Sequence, residues 1–234
     1  MIATPMFGGM CHSGYTLSLV SLTTHLSKTK VPYEVATVTG ESLIPIARNQ
    51  LVSDFLKSNL THMIFIDADL TFKPQDVTAL YQLNRPVVGG LYLKKNLDWD
   101  KIKENVLNEM PKDRIFDNAF SYVCYSENAD AVRMLQYDKK KKEVFPVIYL
   151  GTGFMMIKRE VFEKLMPFVD TYKRGYDTFY DFFRLRFSKS GMYLSEDFSF
   201  CQLCSEQGIQ VECAPWTKLL HTGNMDYGSH LDKL

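Results

Sequence analysis

"HMIFIDADLTF", residues 62–72, decides how the rest of the chain is interpreted. Its apolar run, MIFI, is continuous rather than alternating, which is typical of a strand buried on both faces of a parallel sheet. The run ends at Asp67 and Asp69, with one alanine between them. Side chains alternate along a strand, so the two carboxylates point to one side and Ala68 to the other. The motif therefore delivers two acids to one place at the end of a strand.

The segments around this strand alternate between strand and helix. Strands are predicted in "MIATPMF", "YEVATVT" and "PVVGGLY". Helices are predicted over 15–27, over "LIPIARNQLVSDFLKS" after a break and cap at Gly40 and Ser42, and from Pro74. A polar stretch at 94–116 is predicted to be helical, "FSYVCY", "VRMLQY" and "VFPVIYL" to be antiparallel additions, and "FMMIKREVFEKL" to be a strand and a helix. This order predicts an α/β fold in which helices flank a mixed, mostly parallel, doubly wound sheet, with residues 1–234 in one domain.

The composition narrows the functional classes. Hydrophobic residues make up 46% and charged residues 23% of the 234 residues, an ordinary globular balance. Lys plus Arg equals Asp plus Glu at 27 each, and a net charge of zero argues against a nucleic-acid partner. No stretch reaches the roughly 20 apolar residues that span a bilayer, and the first residues lack a basic segment before an apolar one. We expect a soluble protein without a transmembrane segment, located in the cytoplasm.

The cysteines agree with that expectation. Five cysteines cannot all pair, which favours a reducing compartment. Cys201 and Cys204 form a C-x-x-C within a predicted helix, and there is no second cysteine pair to complete a zinc site. We interpret these two cysteines as structural.

The aspartate pair has two interpretations. Close carboxylates repel each other unless a positive group neutralises them, and Mg²⁺ or Mn²⁺ does so with positions left for phosphate. Open α/β sheets also bind ligands beyond the carboxyl ends of their strands. Alternatively, Asp69 caps the helix that begins near Pro74 and Asp67 is a solvated loop residue. On the pair alone, both interpretations stay open.

Arg48 lies on an apolar helix stripe formed by Ile44, Leu51, Val52 and Phe55. Arginine is almost never buried unless it is paired, so Arg48 needs an anion nearby. Its planar fork suits a phosphate or a carboxylate. The pattern is compatible with a diphosphate-facing role and with an ion pair to one of the aspartates.

In their order along the chain, these segments resemble a glycosyltransferase of the GT-A fold, similar to family 2. The resemblance rests on the strand that ends in D-x-D, on "ARNQLV" in the helix before it, and on "YLGTGFMMIKREVFEKL", "LSEDFSFCQLCSEQG" and "KLLHTGN" after it. It extends from residue 1 to about 224. The compact layout also resembles glycosyltransferases encoded by large DNA viruses of algae, for which the location would be the host cytoplasm.

The resemblance implies a role for each matching position. Residues 1–92 would bind the nucleotide, and residues 93–234 the donor sugar and the acceptor. The implied nucleotide and donor ligands are Thr4 and Pro5 at the base, Arg48 at a phosphate, Asp67, Ala68 and Asp69 at the ribose and diphosphate, and Gly151, Thr152 and Gly153 at the donor sugar. Asp67, Asp69 and His221 would hold Mn²⁺ or Mg²⁺. The donor would be a UDP- or GDP-sugar, and the acceptor a glycan, a lipid or a protein.

The start of the helix in "LSEDFSF" would supply the catalytic acids. Ser195 is a predicted N-cap, which places Glu196 and Asp197 in the first turn, where the helix dipole favours carboxylates. Stability alone also explains acids at such a position. The resemblance favours Asp197 as the base that deprotonates the acceptor hydroxyl, with Glu196 orienting the acceptor. With no second nucleophile, we expect a metal-dependent hexosyltransferase that inverts the anomeric configuration.

Residues 170–190 carry seven aromatic side chains. Phe179, Phe183 and Phe187 are at helical spacing, which predicts burial in the core or in a subunit contact. The tyrosines of this stretch remain candidates for a flap over the acceptor.

Two other enzyme classes and a binding protein fit parts of the sequence. "FIDADLT" matches the D-x-D-x-T of haloacid-dehalogenase-like phosphatases, with Asp67 as nucleophile, Asp69 as general acid and Mg²⁺ as cofactor. That family carries the motif on its first strand, whereas two β-α units precede it here. A sugar-nucleotide nucleotidyltransferase would show a basic glycine-rich loop after strand one, and "FGGMCHSG" contains no lysine or arginine. A protein that only binds its ligand would not need Asp197.

Overall fold

Strands and helices alternate through the first 90 residues, as predicted from the sequence. A computed structural model of the chain describes residues 1–116, 119–126, 142–188 and 190–223. The described strands are β1 (Ile2–Met6), β2 (Val35–Thr39), β3 (His62–Ile66), β4 (Leu70–Thr71), β5 (Val87–Gly90), β6 (Cys124–Tyr125), β7 (Phe145–Val147), β8 (Tyr149–Leu150), β9 (Phe154–Lys158), β10 (Thr171–Arg174), β11 (Asp177–Tyr180), β12 (Arg186–Phe187), β13 (Tyr193–Leu194), β14 (Val211–Ala214) and β15 (Leu220–His221). The described α-helices are α1 (Ser13–Lys28), α2 (Ile44–Lys57), α3 (Pro74–Leu83), α4 (Trp99–Leu107), α5 (Arg159–Leu165) and α6 (Glu196–Glu206).

Seven strands form the central sheet in the order β2-β1-β3-β9-β5-β14-β7. β1 pairs in parallel with β2 and β3, and β14 pairs in parallel with β5. β9 runs antiparallel between β3 and β5, and β7 runs antiparallel to β14. The strands β2, β1, β3, β5 and β14 therefore point the same way, and the predicted mixed, mostly parallel sheet is confirmed.

β3 is buried on both faces because helices cover both sides of the sheet. On one side, Met63 and Phe65 belong to a core cluster with Phe55 of α2 that also includes α5 and α6. On the other side, Ile64 and Ile66 belong to a second cluster, with α1 and α3. Alternate side chains of β3 thus enter two different cores, which explains the unbroken apolar run.

The start of α2 differs in part from the prediction. Gly40 turns the chain with a φ of +74°, as expected, but the residue before the helix is Leu43, and no side chain caps the helix. The prediction that Ser42 is the cap is wrong. Pro45 lies in the first turn, where its missing N–H has no helical partner to lose. Ile44, predicted on the core-facing stripe, is 38% exposed and borders the cavity described below.

The aromatic segment at 170–190 is built of strands rather than a helix. β10 pairs antiparallel with β11, and β12 pairs antiparallel with β13. Phe179 and Phe183 are buried, as predicted, but Phe187 is 71% exposed, so the prediction that it belongs to the core is wrong, while a subunit contact at Phe187 stays a prediction. Helical spacing does not apply because Gly175, with a φ of +60°, turns the chain back between β10 and β11.

The remaining predicted elements are found in part. The polar stretch at 94–116 contains α4 and a short 3₁₀ turn, Lys112–Arg114. "FSYVCY" contains β6 and "VFPVIYL" contains β7 and β8, whereas "VRMLQY" lies outside the described residues. Across the described part of the chain, no helix has both the length and the apolar character that crossing a membrane requires.

The cysteines of the C-x-x-C lie in α6 and face the core. Burial raises the pKa of the Cys201 thiol to about 12 and the pKa of Cys204 well above its ordinary value. Both are therefore neutral thiols at physiological pH, which agrees with the structural interpretation.

Candidate active site

A cavity of about 530 Å³ opens beyond the carboxyl ends of β1 and β3. It is lined by Pro5, Phe7, Met10, Cys11, His12, Ile44, Arg48, Asp67, Ala68, Asp69 and Glu196. The volume is typical of a small-molecule site, and the position is the one at which open α/β sheets bind ligands. A smaller, more apolar cavity of about 280 Å³ opens at the amino ends of the strands, around residues such as His62 and Tyr81. The larger cavity is the candidate site because the predicted polar residues converge there.

Asp67 is paired with Arg48 in the wall of this cavity. The guanidinium donates from Nη2 to Asp67 Oδ1 at 3.2 Å and from Nε to Glu196 Oε1 at 3.5 Å, and it lies 5.2 Å from the ring centre of Phe65. Burial opposes the charge on Arg48, but Asp67 and Glu196 outweigh this effect and raise the pKa of Arg48. Its Nη1 is buried and has no hydrogen-bond partner among the described residues. Arg48 therefore keeps one donor group for a further acceptor.

Two carboxylates at the start of α6 are held differently. Burial raises the pKa of Glu196, Arg48 opposes the rise, and the charge of Asp197 adds to it. Asp197 accepts hydrogen bonds on Oδ1 from the hydroxyl of Ser195 and, at 2.8 Å, from the backbone N–H of Phe198. Ser195 occupies the N-cap position, as predicted, although its hydroxyl is directed to Asp197. Of the two acids, Glu196 lines the cavity, and Asp197 lies beside it in sequence.

Asp69 belongs to a separate cluster with residues from two later segments. β15 pairs with β4, and the backbone N–H of Thr222 donates to the Asp69 carbonyl at 2.9 Å, which places the His221 ring beside the Asp69 carboxylate. His221 Nε2 lies 3.4 Å from Asp69 Oδ1, and the Lys95 ammonium donates to Asp69 Oδ2. Burial alone would raise the pKa of Asp69, but His221 and Lys95 lower it to about 2. Asp69 is therefore ionised at neutral pH.

The neutral His221 ring presents an acceptor to another acceptor, whereas its protonated form, the form that lowers the pKa of Asp69, donates from Nε2. Its Nδ1 lies 2.7 Å from the carbonyl oxygen of Leu93, and because a carbonyl can only accept, Nδ1 carries the proton. In the neutral ring, Nε2 then directs a lone pair towards Asp69 Oδ1, which is buried and lacks a hydrogen-bond partner among the described residues. A cation stabilises such an arrangement. A carboxylate suits Mn²⁺ or Mg²⁺, and an imidazole suits a transition metal, so this pair fits Mn²⁺ better than Mg²⁺.

The predicted three-ligand metal set is not assembled. Within the described ranges, no group of three or more His, Cys, Asp or Glu residues is positioned to hold a metal ion. Asp69 and His221 lie together, but the carboxylate of Asp67 turns to Arg48. A fully buried guanidinium requires a counter-ion more strongly than a half-buried carboxylate requires a metal, which explains the difference. Asp69 and His221 are compatible with a metal ion, and a metal-binding role of Asp67 stays a prediction.

The Gly151–Thr152–Gly153 loop wraps around the hydroxyl of Tyr92. The Gly153 N–H donates to that oxygen at 3.0 Å, and a Cβ on Gly153 would lie 2.6 Å from it and 2.7 Å from Asp67 Oδ2. A Cβ on Gly151 would also collide with the Tyr92 hydroxyl. Burial, with the charge of Asp67 adding to it, raises the pKa of Tyr92 well above its ordinary value. The close approach expected at these glycines is present, but Tyr92 and Asp67 make it, and contact with a donor sugar stays a prediction.

Two predicted donor ligands lie deeper than expected. The side chain of Thr4 is fully buried, and its hydroxyl shares a hydrogen bond of 2.6 Å with the hydroxyl of Tyr15, so only Pro5 of the predicted base contacts lines the cavity. Thr152 is also buried, and its hydroxyl has no partner among the residues that the structure describes.

Sequence reasoning missed Tyr92 and Lys95. Both follow β5 and belong to no motif: Tyr92 is the last residue of the predicted strand "PVVGGLY", and Lys95 lies at the start of the polar segment at 94–116. The one signal that indicates them is position, because residues after the carboxyl end of a parallel strand face the ligand edge of the sheet.

The order of the sheet and the helices that flank it define a fold class, the α/β proteins with the GT-A type of sheet, and the fold predicted from the sequence is confirmed. Among solved structures, the chain is similar to the crystal structure of A197 from STIV, with 20% identity, 95% of this chain and 85% of that chain covered, and a TM-score of 0.52. It also matches the crystal structure of GalNAc-T7 with UDP, GalNAc and Mn²⁺, with 14% identity, 94% of this chain and 43% of that chain covered, and a TM-score of 0.49. No protein-family model and no curated protein matches the chain. At these identities the likeness concerns the fold.

Proposed function

We propose that this protein is a glycosyltransferase that moves a sugar from a nucleoside-diphosphate sugar to an acceptor hydroxyl, with Mn²⁺ or Mg²⁺ as cofactor. The observation that supports this proposal is the set of side chains that line one cavity. Arg48, with an unused donor group, lines it together with Asp69, whose free oxygen lies beside His221. A guanidinium suits a phosphate, and a carboxylate with an imidazole suits a cation. A nucleoside diphosphate with its cation requires both.

In this proposal the two halves of the chain have different tasks. Residues 1–92 bind the nucleotide: Pro5 and Ala68 border the base and ribose, and Arg48 donates from Nη1 to a phosphate oxygen. Asp69, with His221, would hold the cation, which when bound offsets the negative charge that develops on the leaving diphosphate. Residues 93–234 contribute the loop around Gly153 on the side of the donor sugar and the acids of α6 on the side of the acceptor. We propose a UDP- or GDP-hexose as donor and a glycan, lipid or protein as acceptor.

The transfer itself requires a base. The acceptor oxygen forms a bond to the anomeric carbon while the bond from that carbon to the diphosphate oxygen breaks, and the electron pair leaves with the nucleoside diphosphate. The acceptor proton passes to a carboxylate, in our proposal Asp197. Ser195 and Phe198 hold Asp197 through Oδ1, and among the described residues no donor occupies Oδ2, which is left to take the proton. Glu196, engaged with Arg48, orients the acceptor, and a single displacement inverts the anomeric configuration.

The function is tested with a panel of UDP- and GDP-sugars, simple glycoside acceptors, and either Mn²⁺ or EDTA. We expect release of the nucleoside diphosphate with Mn²⁺ and its loss with EDTA, and an inverted anomer in the NMR spectrum of the product. Hydrolysis of a generic phosphate monoester, with no release from any donor, would identify a phosphatase with Asp67 as nucleophile. Formation of a nucleotide sugar from a nucleoside triphosphate and a sugar phosphate would identify a nucleotidyltransferase.

Variants of the two acids test the assignment of the base. We expect Asp197→Asn to lower kcat by about 10²- to 10⁴-fold while the Kd for UDP with Mn²⁺ stays within about twofold, because a general base acts after the donor has bound. Glu206→Gln, at the other end of α6, is the matched control and should leave kcat unchanged. If Asp197→Asn transfers at the normal rate and Glu196→Gln does not, Glu196 is the base.

A further inference from the structure

Lys95 occupies the oxygen of Asp69 that faces away from His221. Its ammonium donates to Asp69 Oδ2, while Oδ1 faces His221 Nε2 at 3.4 Å. The stem of the lysine packs on Gly223, where a Cβ would lie 2.9 Å from Lys95 Cδ. The side chain of Lys95 is 38% exposed, so solvent and ligands reach its head group. The chain thus places its own cation on the carboxylate that would bind a metal ion.

Two cations on one carboxylate repel each other. A divalent ion at Asp69 Oδ1 would lie within a few ångströms of the Lys95 ammonium, at which distance like charges interact strongly even at a protein surface. The contact between Lys95 and Asp69 is partly exposed, and exposed ion pairs are worth little, so it exchanges readily. Arg48 differs, because its side chain is only 4% exposed and is held by two carboxylates. Of Arg48 and Lys95, Lys95 is therefore the one free to move.

We propose that Lys95 is an internal counter-ion which must leave Asp69 before Asp69 can ligate a cation, and that the released ammonium binds the diphosphate of the donor. This inference rests on the proposed function. An ammonium on a flexible stem is a suitable phosphate ligand. Lys95 contacts Asp69, and Asp69 lines the same cavity as Arg48, so in this proposal the diphosphate binds between Arg48 and Lys95. The cation and the diphosphate then bind cooperatively. The diphosphate draws away the Lys95 ammonium that would repel the cation, and the cation releases that ammonium from Asp69 so that it can bind the diphosphate.

Lys95→Met isolates this role, since it keeps much of the stem and removes the charge. Mn²⁺ binding is followed by electron paramagnetic resonance, with and without UDP or GDP. For the wild-type protein we expect weak Mn²⁺ binding alone and at least about tenfold tighter binding with the matching nucleotide, and the same factor must appear in the effect of Mn²⁺ on the nucleotide. In Lys95→Met, Mn²⁺ alone should bind about fivefold tighter, the nucleotide should bind more weakly, and the mutual enhancement should fall below about threefold.

Three further variants complete the test. Lys95→Arg keeps the charge and should behave like the wild-type protein. Lys95→Gln removes the charge with a polar head group and should behave like Lys95→Met. Lys94→Met is the matched control: Lys94 is the exposed neighbour whose backbone N–H donates to the Ser121 carbonyl at 2.7 Å, and it should leave both affinities unchanged.

The outcomes separate the inference from the proposed function. If Lys95→Met and Lys95→Gln bind Mn²⁺ no more tightly than the wild-type protein while sugar transfer proceeds, the counter-ion role is refuted and the glycosyltransferase stands. If Mn²⁺ binding tightens in both variants but no sugar donor is consumed by the wild-type protein, the cation site is supported and the proposed function is refuted. If no variant binds Mn²⁺ with or without nucleotide, both are refuted.

Discussion

Asp67 and Asp69 are two residues apart and carry the same charge, yet the molecule holds them in different ways. Asp67 is paired with Arg48, whose side chain is 4% exposed and also contacts Glu196, whereas Asp69 is paired with Lys95, whose side chain is 38% exposed. A buried guanidinium cannot leave its carboxylates without a large cost, but an exposed ammonium exchanges with solvent or a ligand. The burial of the basic partner therefore separates a permanent structural pair from an exchangeable one.

The largest loss of stability is expected when Arg48, the buried partner of Asp67, is replaced. Arg48→Met leaves Asp67 and Glu196 as neighbouring carboxylates without their cation and should lower the free energy of unfolding by about 3–5 kcal/mol. Urea unfolding at neutral pH measures this change. The compensated variant with Asp67→Asn and Glu196→Gln in addition should regain most of the loss. A loss below about 1 kcal/mol for Arg48→Met would mean that the two pairs are equivalent.

A loss of stability of intermediate size is expected when the pH is lowered and Asp69 takes up a proton. The pKa of Asp69 is lowered in the folded protein from 3.8 to about 2, so its ionised form stabilises the fold above about pH 4, and this contribution is lost as the pH falls towards 2. The contribution is up to about 2 kcal/mol, and Asp69→Asn should lack it.

Unfolding of the wild-type protein and Asp69→Asn is compared at about pH 5 and about pH 2.5, and their difference in stability should shrink at the lower value. Asp113→Asn, an exposed carboxylate in the turn after α4, serves as the control. A difference that stays constant over this range contradicts the assigned ion pair.

The smallest effect is expected for the exposed partner. Lys95→Met should change the free energy of unfolding by less than about 1 kcal/mol, because the lost pair is open to solvent. The same urea titrations used for Arg48→Met provide the comparison. Destabilisation of similar size in the two variants would show that Lys95 is a structural residue and that the contrast between the aspartates is wrong.

Much of the fold was predictable because it rests on local patterns. The apolar run of β3 and the alternating elements before it indicate a mostly parallel sheet, and the need of Arg48 for an anion follows from its place on an apolar helix stripe. The predictions fail where contacts between residues distant in sequence determine the secondary structure and the burial of a side chain. The helical spacing of the late phenylalanines is real in the sequence, but the turn at Gly175 makes strands and leaves Phe187 exposed.

The candidate site shows the same division. The sequence left open which anion Arg48 contacts. In the structure these anions are the carboxylates of Asp67 and Glu196, which lie 19 and 148 residues away along the chain. The predicted metal ligand Asp67 is taken by Arg48, and the cation beside Asp69 is Lys95, a residue without any motif. The glycines at 151 and 153 were expected to let the backbone approach a donor sugar, which stays a prediction; in the structure the group that approaches them is the Tyr92 hydroxyl.

Local patterns in the chain are enough to establish that two acids stand at the end of a buried strand and that a buried arginine requires a counter-charge, because periodicity and the cost of burying charge act on each segment separately. The pairing of these charges, in contrast, follows from the folded arrangement of the whole chain. Arg48, Glu196, Lys95 and His221 come from four distant segments, and the strand order and packing that bring them to Asp67 and Asp69 depend on contacts across the whole chain.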